Sequence, residues 1–381
     1  MVVGINFECG FKFLVFATNN QQRRTVNDEL NDGGLDNVLR KLLNVLYITS
    51  PEAYLGKEGE TVLVLMNEEV KFRIPIHNLE GIVCFGYTGA SPALMHLCAE
   101  RGVALSFLSE SGRFLARVSG PVHGNVLLRR RQYRLTDSPD EALQLAGNFI
   151  IGKLFNCRCV LQRFLRDHEQ RGDPQALQAA VDGLSGQLQK VADSPQLEML
   201  RGVEGEGART YYGVFDHLIL EAKDTFKFSG RSRRPPLDPV NALLSFLYTL
   251  LGHDCAAALE TVGLDPQVGF LHRERPGRAS LALDLMEELR PYLVDRFILS
   301  LINNRQIGAT GFVTKESGGV LMTDEVRKNV IAAWQKRKQE EVMHPFLGEK
   351  IAVGLIPYAQ ALLLARHLRG DLEAYPPFLM K

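Results

Sequence analysis

The sequence has almost no net charge: 44 Lys and Arg balance 44 Asp and Glu over 381 residues. That balance excludes a global attraction to nucleic acid, so any such affinity must come from local basic patches. The six cysteines, Cys9, Cys84, Cys98, Cys157, Cys159 and Cys255, form no CxxC pair, which excludes a zinc ribbon or a thioredoxin motif. Cys157 and Cys159 sit in a helical pattern and project about 200° apart, against joint metal ligation. All six read as reduced thiols of a cytoplasmic protein. No apolar run reaches the roughly 18 residues that a membrane span requires. The densest, ALLSFLYTLLG at 242–252, carries Ser and Thr and reads as a buried core helix. The N-terminus lacks the basic opening of a signal peptide, and neither long-period repeats nor low-complexity tracts occur. What remains is an ordinary globular composition, 45% hydrophobic and 23% charged, in a chain long enough for two domains.

The first half reads as strands. KLLNVLYIT (41–49), TVLVLM (61–66), VKFRIPI (70–76) and GIVCFG (81–86) are rich in β-branched and aromatic residues and punctuated by turn formers. ASPALMHLCAERG (90–102) predicts one short helix. VALSFLS and RFLARVS predict two more strands, and SGPVHGN (119–125) a hinge. Beyond it the apolar spacing changes to three and four, the helical period. VLLRRRQYRL, the long stretch from Glu141 to Gln170 behind Asp137, Ser138 and Pro139, and LQAAVDGLSGQLQKVA are the first helices. Further helices are expected over about 196–221, 238–262, 279–303, 323–341 and 347–368. The fold class is therefore α+β: a small β-rich domain (39–120) followed by a larger all-α domain (121–381). Strands and helices are segregated, which argues against a doubly wound parallel sheet. Residues 1–38 stand apart as an N-terminal extension with two short apolar runs and a polar stretch.

Two stretches carry candidate chemistry. In LEMLRGVEGEGARTYYGVF (197–215), Gly202, Gly205 and Gly207 interrupt a helical pattern, each costing roughly 1 kcal/mol relative to Ala. They make sense where another backbone or a ligand comes close. Glu204 lies among them, and Tyr211 falls about 20° from it on the helical wheel, which makes Tyr211 a candidate to support it. No GK[ST] follows, so this is not a phosphate-binding P-loop. In GFLHRERPGRASLALDLMEELRP (269–291), His272 precedes a helix carrying Asp284, Glu287 and Glu288. These carboxylates are helical neighbours and repel. Arg290, the helix N-terminus or a metal is needed to offset them. One imidazole with carboxylate oxygens suits manganese or magnesium better than structural zinc. A solvated helix face behind a surface loop is the alternative. His272 and Glu274 imitate the HxE of zinc deaminases, but no PCxxC follows.

Three arginine-rich clusters complete the pattern: Arg129, Arg130, Arg131 and Arg134; Lys227, Arg231, Arg233 and Arg234; and Arg273, Arg275 and Arg278. Arginine clusters are suited to phosphate contacts, and the last abuts the acidic helix.

In their order and spacing, RGVEGEGARTYY, FSGRSRRPPLDPVNALLSFLY, GFLH and SLALDLMEELRP resemble the CRISPR-associated integrase/endonuclease of the spacer-acquisition module. KLLNVLYITSPEAYLG, HNLEGIVCFGYTGASPALM and GNVLLRRRQYRL are similar to its type I-C subgroup. The resemblance covers about Leu39 to Lys381 and leaves residues 1–38 outside. It implies that Glu204, His272 and Glu287 are metal ligands for Mg²⁺ or Mn²⁺, with Glu287 where many members carry aspartate. Asp284 would support the site or touch the metal. It implies a β-sandwich-like domain that mediates homodimerisation and a helical domain that holds the metal. It also implies a complex with the small ferredoxin-like adaptation protein and with double-stranded DNA. The expected reaction joins prespacer 3′-OH ends to the CRISPR repeat by transesterification. A structure-selective nuclease for branched DNA and a non-catalytic DNA-binding scaffold are the rival readings.

Overall fold

The computed structural model describes residues 2–3, 14–16, 45–50, 52–79, 81–86, 88–109, 114–118, 120, 126–168 and 171–380. Most of the 1–38 extension and of the 119–125 hinge therefore lies outside the described residues. The chain forms two compact units. One comprises Met1–His123 with Ile331–Val342 and Ile351–Leu355; the other comprises Gly124–Val330 with Met343–Lys350 and Ile356–Lys381.

The first unit is the β-rich one. One sheet has the order β1 (Val2–Val3), β2 (Leu14–Phe16), β3 (Val45–Ile48), β7 (Gly81–Phe85), β9 (Ala104–Leu108), β10 (Phe114–Val118). The other runs β6 (Glu69–Pro75), β5 (Thr61–Met66), β4 (Ala53–Glu58), β8 (Gly89–Ala90). The alternation in TVLVLM turns Val62, Val64 and Met66 inward. They join Leu46, Ile48, Leu55, Ile82, Cys84 and Leu105 in one core shared by both sheets. Two details depart from the sequence reading. AYLGKE, with a glycine in mid-strand, forms β4 and was not expected as a strand. β3, β7 and β9 pair parallel, so the first sheet contains a crossover. Parallel neighbours need a long connection, and α1 (Pro92–Arg101), capped by Ser91 and ended by Gly102 at φ 67°, lies in it between β7 and β9.

The second unit is helical: α2 (Val126–Thr136), α3 (Pro139–Asp167), α4 (Pro174–Ala192), α5 (Leu197–Gly213), α6 (Pro239–Thr261), α7 (Ser280–Leu289), α8 (Arg296–Asn303) and α10 (Ile356–Arg369), with α9 (Asp324–Gln339) passing from this unit into the first. Proline occupies the first turn of α3, α4 and α6, where a missing N–H costs nothing. Asp173 and Asp238 cap α4 and α6 through their carboxylates. Among the described residues, α6 is the helix long and apolar enough to cross a membrane. Val240, Leu243, Leu244, Leu247 and Leu251 bury it in the unit's core, as its Ser and Thr foretold.

Three expected helices differ. The single helix over 279–303 is broken by a π-helical turn, Arg290–Asp295, at Pro291, which offers no N–H to the helical ladder. The helix over 196–221 ends at Gly213 and continues as a 3₁₀ turn, Phe215–Leu218. The last one starts at Ile356 rather than 347, because Gly348 takes φ 69° and Lys350–Ala352 pairs as a strand.

Candidate metal centre

Glu204 stands on α5, Glu287 on α7, and His272 on the loop before α7. Glycines set the approach of these elements. A Cβ at Gly207 would meet Leu154 Cδ2 of α3 at 2.2 Å, so α5 packs on α3 there. A Cβ at Gly152 would meet Glu288 Cβ at 2.6 Å, so α7 packs on α3 beside Lys153. At Gly269 a Cβ would meet Asp284 Oδ2 and the start of α7, each at 2.7 Å. Gly202 and Gly205, flanking Glu204, face open space. Of Gly202, Gly205 and Gly207, then, Gly207 alone serves close helix packing.

The three neighbouring carboxylates of α7 go to three different partners. Asp284 is fully buried. Its Oδ2 accepts the Phe270 and Leu271 N–H groups at 2.6 and 3.0 Å, and its Oδ1 accepts the His272 N–H at 3.0 Å and faces His272 Nδ1 at 2.7 Å. Nδ1 therefore carries the ring proton, and the Nε2 lone pair is free. Nε2 faces Glu287 Oε1 at 3.8 Å. Arg201 of α5 donates to the Leu271 carbonyl at 2.8 and 2.6 Å, tying the histidine loop to the helix of Glu204.

Glu287 is 3% exposed. Arg290 donates to its Oε1 at 2.6 Å, and the Lys153 ammonium faces its Oε2 at 2.7 Å. Burial alone would raise its pKa. Arg290 and Lys153 outweigh that and hold the carboxyl ionised, well below its ordinary value. The same ammonium donates to Glu204 Oε1. Burial opposes the charge on Lys153, but the Glu287 and Glu204 carboxylates prevail and its pKa rises. Lys153 was missed by the sequence reading. Its signal was present: one lysine on the apolar stripe Phe149, Ile150, Leu154 and Cys157, all buried. A buried lysine is rare unless paired.

Glu288 turns away from this centre. Its Oε1 accepts from Tyr375 OH at 2.5 Å and Gln360 Nε2 at 2.9 Å, and its Oε2 accepts the Phe378 N–H at 2.9 Å. Asn156 of α3 receives the Met380 N–H and donates to the Glu288 and Phe378 carbonyls. Burial pushes the Glu288 carboxyl up to about 7.

Tyr211 shares a helix with Glu204 but not its environment. It is buried with its ring against Tyr212 and Phe215 and its hydroxyl toward Asp295. Tyr248 OH donates to Asp295 at 2.5 Å and meets Tyr212 OH at 2.7 Å. The supporting role expected for Tyr211 at the metal ligands is thus redirected to the π-helical turn.

The basic residues divide. Lys227, Arg233, Arg234 and Arg275 are exposed, and Arg278 is half-buried. Arg273 is exposed but paired with Glu198 at 2.7 Å. Arg231 corrects an expectation. Its guanidinium donates to the Ser232 carbonyl, Asn241 Oδ1 and Ser245 Oγ and lies over the Tyr248 ring, so it braces the loop from within rather than facing solvent as a phosphate contact.

Two carboxylates on separate helices and one imidazole could supply hard O,O,N donors to a divalent ion such as Mg²⁺ or Mn²⁺. The Asp284–His272 pair is the carboxylate–histidine support such ligands use, and the Lys153 ammonium between Glu204 and Glu287 marks a place built for positive charge. The residues fit a divalent ion. Among the described residues no three His, Cys, Asp or Glu side chains are already gathered closely enough to hold one; the Lys153 ammonium lies between Glu204 and Glu287.

A family model described as CRISPR associated protein Cas1 matches residues 46–336. The chain is 52% identical over 343 residues to the CRISPR-associated endonuclease Cas1 1 of Chlorobaculum tepidum, covering 90% of this chain and 100% of that protein. Among solved structures, a casposase bound to integration product superimposes with a TM-score of 0.76 at 23% identity, covering 88% of this chain and 94% of that one. A Cas6-RT-Cas1–Cas2 complex gives 0.74 at 23%, covering 88% of this chain and 36% of that one. At such identity the solved structures speak for the fold.

Proposed function

The chain belongs to the Cas1 family and is a CRISPR-associated endonuclease, and from that premise we propose that it joins prespacer 3′-OH ends to the CRISPR repeat by metal-dependent transesterification. The observation that carries the reading is the convergence of Glu204, His272 and Glu287 from three chain segments, with Asp284 fixing the imidazole tautomer. Glu204 Oε1, His272 Nε2 and Glu287 would hold the ion. Bound there, Mg²⁺ or Mn²⁺ supplies a Lewis acid that polarises the phosphoryl oxygen and lowers the pKa of the attacking hydroxyl.

The chain's own residues do the rest. Asp284 keeps the proton on Nδ1 so that Nε2 presents a lone pair. Arg290 keeps Glu287 ionised and aimed, being itself stacked on the Tyr248 ring. Three protein ligands leave positions open for a phosphate oxygen and water. Lys227, Arg233, Arg234, Arg275 and Arg278 grip phosphates and set register rather than read bases. Arg273 joins them by exchanging Glu198 for phosphate.

The proposal extends to the assembly. Homodimers would form through the β-rich unit, to which Ile331–Val342 and Ile351–Leu355 also belong, with the helical unit catalytic, and would flank the small ferredoxin-like adaptation protein, Cas2, in the cytoplasm. A casposase bound to integration product and a Cas6-RT-Cas1–Cas2 complex, both of this fold, support the reading. The type I-C assignment belongs to the same proposal.

Labelled prespacer, Mn²⁺, Cas2 and a plasmid bearing a CRISPR repeat test it. Wild type is expected to give joined product and a folded Glu204→Ala variant none; full joining by that variant contradicts the ligand role. Cleavage of branched DNA without joining favours the structure-selective nuclease.

A further inference from the structure

The cation at the centre of the ligand set is part of the protein itself. Lys153 lies in the middle of α3, 6% exposed, and its ammonium contacts Glu204 on α5 and Glu287 on α7. Three helices thus meet on one buried charge. Without it, two carboxylates would face each other in a low-dielectric site, one of them almost fully buried. With it and Arg290, the formal charges of Glu204, Glu287, Lys153 and Arg290 sum to zero. A divalent ion added to that set would leave an excess of positive charge, which displacing one of the two resident cations relieves.

The geometry says which. Arg290 is anchored twice, by its bond to Glu287 Oε1 and by lying over the Tyr248 ring. Its planar fork is also the harder group to redirect. Lys153 is a flexible stem ending in a point charge, and its contacts are the carboxylates a metal would take. At Oε2 of Glu287 the ammonium sits at 2.7 Å. Glu204 itself is partly exposed, so an ion can reach it.

We propose that Lys153 is an internal counter-cation that holds Glu204 and Glu287 together in the metal-free protein, and that a divalent ion enters by displacing its ammonium. The inference rests on the metal-site reading above. It makes Lys153 a positioning residue: it sets the affinity for the ion and preserves the ligand helices in its absence.

Mn²⁺ binding by titration calorimetry, on the full chain, separates the possibilities. Lys153→Met should lower the metal-free melting temperature and tighten the Mn²⁺ dissociation constant by about tenfold or more, a change worth about 1.4 kcal/mol. Lys153→Arg, which keeps the charge and replaces the flexible ammonium by a fork, should bind Mn²⁺ more weakly than wild type. If Lys153→Met unfolds without metal, refolding on addition of Mn²⁺ is the expected result, and failure to refold counts against the inference. Equal or weaker binding by a folded Lys153→Met overturns it, as does binding by Lys153→Arg as tight as by Lys153→Met. Glu204→Gln keeps the two readings apart. If wild type binds Mn²⁺, Glu204→Gln does not and Lys153→Met matches wild type, the displacement idea alone falls. If wild type and Glu204→Gln bind alike, the ligand assignment falls first.

Discussion

Asp284 shows how one side chain can organise a site without joining it. Its two oxygens serve three backbone N–H groups and one imidazole, leaving it occupied with orienting His272. Asp284→Asn puts an amide in that place and relaxes the tautomer. The expected outcome is a 10–100-fold loss of Mn²⁺ affinity, read by titration, with DNA binding retained. A second residue-scale prediction concerns His344, buried with Nε2 toward Gln360 Oε1 and Nδ1 accepting the Leu347 N–H. Burial lowers its pKa from 6.5 to about 4. Between those values the unfolded chain binds the extra proton. Stability from this group is therefore complete above pH 6.5 and is lost as pH falls toward 4, by on the order of 3 kcal/mol. Glu288 and Asp295, pushed up to about 7 and 6 by burial, act in the opposite sense, losing stability as pH rises. The prediction is thus a difference: in denaturant unfolding, the stability of wild type relative to His344→Gln should rise as pH goes from 4 to 6.5. At this scale the sequence displayed the acidic residues of α7 but not their partners. Asp284, Glu287 and Glu288 look equivalent in a string. Only the fold sends them to the histidine loop, to Lys153 and to the segment ending at Met380.

Among the elements, α5 separates two kinds of glycine that the sequence could not distinguish. Gly207 sits against Leu154, whereas Gly202 faces open space. Gly207→Ala should destabilise the protein by about 1–3 kcal/mol and weaken Mn²⁺ binding by moving Glu204. Gly202→Ala should stabilise it by about 0.5–1 kcal/mol. Thermal unfolding of the two variants checks the contrast. Helices with a clean apolar period and a capping residue, such as α3 and α6, were legible nearly to their ends. The π-helical turn was less so: Arg290–Pro291 signalled an interruption, yet periodicity ran through it. That turn directs Asp295 toward Tyr248 and Tyr211. Lys153 was hidden for a related reason. Within its helix it breaks an apolar stripe, and what makes it favourable lies on two other helices.

For the molecule as a whole, the division into strands and then helices was legible because the hydrophobic period changes once, near residue 120. The parallel strands of the first sheet were not, since pairing direction depends on where the chain crosses over. Charge behaves similarly. A neutral chain conceals separate basic loops, and only exposure shows that Arg233, Arg234 and Arg275 remain available while Arg231 is committed inward. DNA affinity should therefore fall steeply with salt, the logarithmic slope being roughly 0.9 per phosphate neutralised. Replacing Arg233 and Arg234 together by Ala should flatten that slope, and Arg231→Ala should instead lower thermal stability. The most direct measurement is the anomalous scattering of Mn²⁺ in crystals of the protein soaked with the ion. A single peak bounded by Glu204, His272 and Glu287, with Asp284 still bonded to the imidazole, is the expected result. A peak ligated by Asp284, or one that leaves the Lys153 bridge intact and Glu204 uncoordinated, would contradict the assignment.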